Sequence, residues 1–385
     1  MKKSMDRIQN TRYYSKCIGG ISEGCRLCVR GRKLVLFVTG LCSRRCYYCP
    51  LSEQKKNRDV IFANERPVTK DSEIIDEAEI SQATSASITG GDPLVVLERT
   101  IHYIKLLKRR FGKNFHIHLY APLELVSDES LKRLYDSGLD EIRFHPDLEN
   151  RNYWDRIKLA SVYDWDVGIE IPAIPGEEKR IKELIDYSED FIKFLNLNEL
   201  EISDTNAGML LLRKFVPKDR VSYAVRGSEQ TALKIMKYCL GRKFSVHYCT
   251  AKLKDAVQLA NRIKLRAKKS AEKFDITTEE GLLIRGAIYL PELKPDFEYK
   301  KRLEGLNKTQ KRALLRKLEG LRKKLISKYN IPESLIKVDT EKPRIITALP
   351  IVEEIAREIR RMGALPARVK QYPTFDQMEV DVEFL

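Results

Sequence analysis

No stretch of this 385-residue chain approaches about 18 consecutive apolar residues, so no membrane-spanning helix is expected. The basic start Met1-Lys2-Lys3-Ser4 is followed by no apolar core, so a secretory signal is not expected either. That makes the cytoplasm, where thiols stay reduced, the default compartment. The eight cysteines then read as ligands or free thiols before disulfides. No low-complexity tract or internal repeat interrupts the strongly periodic apolar segments, which argues against disorder. Glutamine is scarce beside plentiful Lys, Arg and Glu. The net charge of +16 reads either as attraction to an anionic partner such as nucleic acid or as a charge-rich thermophile surface.

Six of the eight cysteines lie between positions 17 and 49. One group, Cys42-Ser-Arg-Arg-Cys46-Tyr-Tyr-Cys49, has the spacing C-x3-C-x2-C. Thiolates are the usual ligands of iron–sulfur clusters, and a cubane normally takes four. Three ligands on one loop leave one iron open to bind and activate a small molecule. A zinc knuckle fits less well, since structural zinc prefers a closed set of four. The apolar run Leu34–Gly40 reads as a buried strand, which puts the loop at a strand's C-terminal end, where α/β folds place their chemistry. A second signature, Gly90-Gly91-Asp92-Pro93, follows the strand-like Ser85–Thr89. Alone it is a plain turn.

Together, in this order, the two motifs resemble the radical SAM superfamily, with Tyr48 in the aromatic slot before Cys49. A finer resemblance is to archaeal proteins related to pyruvate formate-lyase activating enzyme. It rests on Cys-Arg-Leu-Cys before the first strand, Cys-Tyr-Tyr-Cys-Pro, Leu-Asn-Glu-Leu-Glu at 197–201 and His-Tyr-Cys at 247–249. The resemblance implies a [4Fe-4S] cluster on Cys42, Cys46 and Cys49. It implies S-adenosylmethionine held by Tyr48, Gly90, Gly91 and Asp92, with His145 and Glu170 as candidates for the ribose. It further implies a reducing electron donor and reductive cleavage of the cofactor to a 5′-deoxyadenosyl radical that abstracts hydrogen. The family's G-x-I-x-G-x-x-E element is only approximated by Gly168–Gly176.

Strand candidates at 115–121, 140–145, 165–171 and 197–203 join those at 34 and 85, with helices between them, including 94–111 and 128–138 with Ser127 as N-cap. This predicts an α/β chain: a partial (β/α)6 TIM-like barrel of radical SAM type with a C-terminal α+β extension. The expected divisions are an N-terminal arm over 1–33, the barrel over 34–215, an extension over 216–275 and a basic α+β domain over 276–385. In the extension, Ser228 would cap a helix over 229–240, a short strand would end at Cys249, and a basic helix would cover 252–272. In the last domain one long helix is expected over 301–329, basic on one side with Lys311, Arg312, Arg316, Lys317, Arg322, Lys323 and Lys324.

Cys17, Cys25 and Cys28 form a second constellation, with Cys25-x2-Cys28 a common half-site for metal. The favoured set is Cys17, Cys25, Cys28 and Cys249, with His247 or Cys239 as other sources of a fourth ligand. The metal is zinc or an auxiliary iron–sulfur cluster, and free thiols are the plain alternative. His116, His118, Tyr120, Arg143, Asn196, Asn198, Glu199 and Glu201 read either as cavity lining or as a satisfied polar interior. The functions that remain are a radical enzyme acting on RNA such as tRNA, an activase that makes a protein glycyl radical, and a small-molecule enzyme. The alternative from another class is a zinc-stapled nucleic-acid-binding protein without catalysis.

Overall fold

A computed structural model describes residues 5–385. The basic start Met1–Ser4 lies outside the described residues. The chain divides into two compact units, residues 1–262 and 263–385.

In the first unit an eleven-stranded sheet is built on seven consecutive parallel strands: β3 (Lys33–Phe37), β6 (Ser85–Thr89), β7 (His116–Ala121), β8 (Glu141–Phe144), β9 (Asp166–Pro172), β10 (Phe194–Asn198) and β11 (Ser245–Cys249). Beyond β11 the edge is extended antiparallel by β2 (Lys16–Ile18) and β1 (Gln9–Asn10). Beyond β3 it is extended by β4 (Phe62–Ala63) and β5 (Arg66–Pro67). The expectation of six parallel strands was therefore one short. Ser245–Cys249, read as part of an extension, is the seventh strand, paired Asn196 to His247 and Asn198 to Cys249. The boundary between units likewise falls near residue 262 rather than 275.

Parallel sheets are normally apolar on both faces. This one alternates. Leu34, Leu36, Ala86, Ile88, Ile117, Leu119, Ile142, Phe144, Ile169, Leu195 and Val246 make one face and are buried in the main apolar core. The period of two puts Lys33, His118, Glu141, Arg143, Glu170, Asn196 and His247 on the other. The polar face is covered by a seven-residue helix, α1 (Glu23–Val29), capped by Ser22, whose hydroxyl accepts from the Cys25 amide. Gly24 is the contact point. Its amide donates to Glu141 at 3.1 Å, and a Cβ there would stand about 2.5 Å from Arg143 and His118.

Local chemistry shifted several expected elements. The strand expected at 197–203 is 194–198, because the chain leaves the sheet where Glu199 turns its carboxylate back to the Ala251 amide. Ser228 lies inside its helix, Ser228–Tyr238, after Gly227. Its hydroxyl accepts from Leu200 and donates to the Ala173 carbonyl. The helix over 252–272 is interrupted by a π turn at Lys254–Leu259.

The second unit carries its own antiparallel sheet: β12 (Ile276–Thr277), β13 (Leu283–Tyr289), β14 (Ile336–Asp339), β15 (Arg344–Thr347), β16 (Leu365–Gln371) and β17 (Glu379–Phe384). The expected long helix is two, Tyr299–Glu304 and Lys308–Tyr329, the second capped by Asn307. Leu314, Leu318 and Leu325 face this unit's core, while Arg312, Arg316, Lys323 and Lys324 are exposed. Arg344 is fully buried, tied to Asp339, Tyr289, Gln371, Gln377 and Glu379. Arg344→Met leaves the buried Asp339 carboxylate without its cation, while Glu379 keeps Lys342. It is expected to cost about 3–5 kcal/mol, measured as lost hydrogen-exchange protection in β13 and β16.

Candidate active site

The three-cysteine loop leaves β3 and is bound directly to the segment that leaves β6. The Gly91 amide donates to Thr39 O and the Asp92 amide to Leu41 O, both at 2.8 Å. A Cβ on Gly90 would stand 2.5 Å from Thr39 O, and one on Gly91 2.3 Å from Leu41 O. The glycines are therefore required because two backbones meet, a constraint that the sequence did not disclose. Asp92 is fully buried and caps the turn that follows. Its Oδ1 accepts from the Leu94 amide at 2.9 Å, and its Oδ2 has no partner. Burial pushes this carboxyl up to about 7. An unpartnered buried acceptor beside the cysteine loop suits an ammonium ligand.

Cys42, Cys46 and Cys49 are partly exposed and act on one another electrostatically. Burial pushes the Cys42 thiol up to about 11, against the amide of Arg44, which donates to its sulfur at 3.4 Å. Arg44 anchors the loop across the sheet. It donates to the His145 carbonyl at 2.7 Å and pairs with Asp147 at 3.2 Å and Glu124 at 3.5 Å. Asn206 holds the Tyr48 carbonyl at 3.0 Å. Neither Arg44 nor Asn206 was expected in the site. For Arg44 the signal was its place between two cysteines of the motif.

Tyr48 and His145 come together as a hydrogen-bonded pair. His145 Nδ1 donates to the Glu170 carbonyl at 2.8 Å, which leaves Nε2 to accept from the Tyr48 hydroxyl at 2.9 Å. Burial, with Arg44 nearby, pushes His145 down to about 4 and keeps it neutral. Glu170 does not join them through its side chain. That carboxylate accepts from Arg143, Asn196 and Asn198, and Arg143 holds it below the usual range despite burial. Of the two candidates, the Glu170 carboxylate is thus already taken up by neighbouring side chains, and His145 pairs with Tyr48.

The lower interior is a connected polar network. Lys33 bonds His118 at 3.0 Å, His118 bonds Tyr120 at 3.1 Å, and Arg143 joins Glu141, Glu170 and Ser22. With α1 seated on them, His118, Glu141 and Arg143 are interior rather than cavity lining. His116 lies 3.6 Å from Glu141, yet burial and Lys33 push it down to about 4.

Both His116 and His145 are thus neutral in the fold at pH values where the unfolded chain, near 6.5, takes up protons. Their stabilising contribution is present above about 6.5 and is lost as pH falls from there toward 4. For His145 alone the loss is about 2 kcal/mol between pH 7.5 and 5. Urea unfolding of the cluster-free chain at the two values checks this, with His145→Gln expected to flatten the dependence.

The second cysteine group is divided. Cys25, Cys28 and Cys249 act on one another electrostatically, and Cys17 lies opposite His247 on β2. Cys239 ends the helix Ser228–Tyr238 beside Arg242 and Glu189, and is no candidate for a fourth ligand. No group of three or more His, Cys, Asp or Glu among the described residues is arranged to hold a metal ion. A single tetrahedral zinc with Zn–S near 2.3 Å draws its sulfurs to within about 4 Å of one another. A cubane places each thiolate on a different iron and spaces them wider. Three thiols on one loop suit three irons of such a cluster, whereas a structural zinc site takes four ligands.

The chain matches the Radical SAM superfamily over residues 36–188. It is 46% identical over 284 residues, 71% of this chain and 75% of the relative, to a Methanocaldococcus jannaschii protein provisionally named a glycyl-radical enzyme activating enzyme. The chain belongs to the radical SAM superfamily. It is thus an enzyme that uses S-adenosylmethionine, with an iron–sulfur cluster implied by the family, and the non-catalytic zinc-stapled reading falls. Among solved structures, SuiB of Streptococcus suis bound to S-adenosylmethionine aligns at TM-score 0.41 and 12% identity, covering 57% of this chain and 50% of that one. TsrM of Kitasatospora setae with a tryptophan substrate and an S-adenosylmethionine analogue aligns at 0.36 and 13%, covering 48% and 39%.

Proposed function

We propose that this radical SAM enzyme reductively cleaves S-adenosylmethionine at a [4Fe-4S] cluster held by Cys42, Cys46 and Cys49, and that its substrate is a protein glycine. The observation that carries the first part is the pairing of the cysteine loop with Gly90–Asp92, which brings three thiols and a buried, unpartnered carboxylate oxygen to one place. When bound, the cluster would supply one electron to the sulfonium, breaking the S–C5′ bond into methionine and a 5′-deoxyadenosyl radical. The chain's residues position and shelter. Arg44 and Asn206 fix the loop, the Gly91 and Asp92 amides set its distance from β6, and Asp92 Oδ2 accepts the methionyl ammonium. Tyr48, held by neutral His145, closes one side.

The protein-glycine reading rests on the M. jannaschii relative's name. The exposed basic residues of Lys308–Tyr329 favour RNA as a second reading. The chain, S-adenosylmethionine and a low-potential reductant would be mixed with a glycyl-radical enzyme from the same genome. A carbon-centred radical signal on that partner, altered by α-deuterated glycine, is expected. Radical formation on no protein, with salt-dependent tRNA binding and modification, would replace this substrate by RNA.

Gly91→Ala forces the two backbones apart. It is expected to weaken S-adenosylmethionine binding roughly tenfold, as overpacking of about 1–3 kcal/mol does. Equilibrium dialysis against the reconstituted wild-type chain measures it.

A further inference from the structure

The polar face of the sheet holds a second set of soft ligands that the proposed reaction does not use. Cys25 and Cys28 lie one turn apart on α1, and Cys249 ends β11. The Cys25 sulfur accepts from Asn196 Nδ2 at 3.3 Å. Asn196 is the register partner of His247, and His247 shares its strand face with Cys249. The three thiols and the imidazole therefore border one region.

Two observations there point to a missing ligand. Asn196 Oδ1 and His247 Nδ1 sit at adjacent register positions, are each in a residue only 2% exposed, and have no partner. Buried polar atoms are rarely left unpaired. His247 also has the arrangement of a metal-bound imidazole: Nε2 bonds the Ser15 hydroxyl at 3.2 Å, which orients the ring and leaves Nδ1 free.

The surroundings match an anionic thiolate group. Lys33 is almost fully buried, and no carboxylate among the described residues lies within ion-pair distance of its ammonium. Cys28 and Lys33 line one cavity of about 260 Å³, together with Gly31, Lys254, Asp255 and Gln258 from the π turn. Arg143 adds a second buried cation near Cys25. A cavity of this size exceeds what one ion needs, and of the four candidate ligands Cys28 opens onto it.

We propose that Cys25, Cys28 and Cys249, with His247 Nδ1, hold a second iron–sulfur cluster on the polar face of the sheet. A series of hydrogen bonds joins it to the first site: Cys25 to Asn196, Asn196 to the Glu170 carboxylate, the Glu170 carbonyl to His145, and His145 to Tyr48.

The test uses the full chain with Cys42, Cys46 and Cys49 all changed to Ala, reconstituted anaerobically with iron and sulfide. It is expected to hold about four iron and four sulfide, with a reduced EPR signal that S-adenosylmethionine does not shift. Adding Cys25→Ala and Cys28→Ala removes both. His247→Ala changes the line shape, whereas Cys17→Ala does not. A folded triple variant that binds no iron, or that takes up stoichiometric zinc at these cysteines, overturns the proposal. If the variant does not fold, Mössbauer counting on the wild-type chain decides, with about eight irons expected and about four contradicting it. Failure to cleave S-adenosylmethionine would refute the proposed function and leave this site standing.

Discussion

Cys42→Ala, Cys46→Ala and Cys49→Ala are each expected to lower 5′-deoxyadenosine formation roughly a thousandfold or more while leaving the fold intact. Each thiol is partly exposed on a loop rather than packed in the core, so its loss removes a ligand and little apolar contact. The cofactor carries the difficult chemistry, so losing the group that delivers the electron leaves nothing in its place. Arg44 separates ligation from positioning. Arg44→Gln keeps all three thiols but loses both ion pairs to Asp147 and Glu124. It should retain iron while the rate of S-adenosylmethionine cleavage falls. Anaerobic nucleoside assays paired with iron analysis distinguish the two effects. A cysteine variant that cleaves at the wild-type rate would remove that residue from the site.

Arg143→Leu is expected to be the most destabilising single change in the first unit. The guanidinium is almost fully buried and joins Glu141, Glu170, Tyr120 and Ser22, with the Phe194 ring 5.4 Å away. Its removal strands two carboxylates and loosens α1, which is tied to Glu141 through the Gly24 amide. Breaking such a buried network costs about 3–5 kcal/mol. Denaturant unfolding measures it, and a loss under 1 kcal/mol would show that water reaches this face. Paired with Glu141→Gln, the double variant should lose less than the sum, because the two side chains share one interaction.

The motifs of the first site were legible in the sequence because they are local. Three cysteines on one loop and a glycine pair after a strand keep their meaning at any register. The apolar alternation also placed Ser85–Thr89 and, to within a residue, His116–Ala121 and Asp166–Pro172. Ser245–Cys249 was legible as a strand but not as a member of the parallel sheet. Its polar alternation resembles an exposed edge, and only pairing with Phe194–Asn198, some fifty residues earlier, puts it inside. Glu170 shows a related effect. Its place near the end of β9 suggested a cofactor contact, but its side chain is claimed by Arg143 on the neighbouring strand. Lys33 and Gly24 carried no local signal at all. Their roles exist only where α1 meets the sheet.

The central claim is that Cys42, Cys46 and Cys49 present an iron–sulfur cluster to S-adenosylmethionine. The most direct test is the EPR spectrum of the reconstituted, reduced chain with and without S-adenosylmethionine, read beside 5′-deoxyadenosine formation. The account predicts a cluster signal that the cofactor shifts, lost with Cys42→Ala, and nucleoside released with it. A signal indifferent to S-adenosylmethionine in the wild-type chain, with no nucleoside formed, would contradict it.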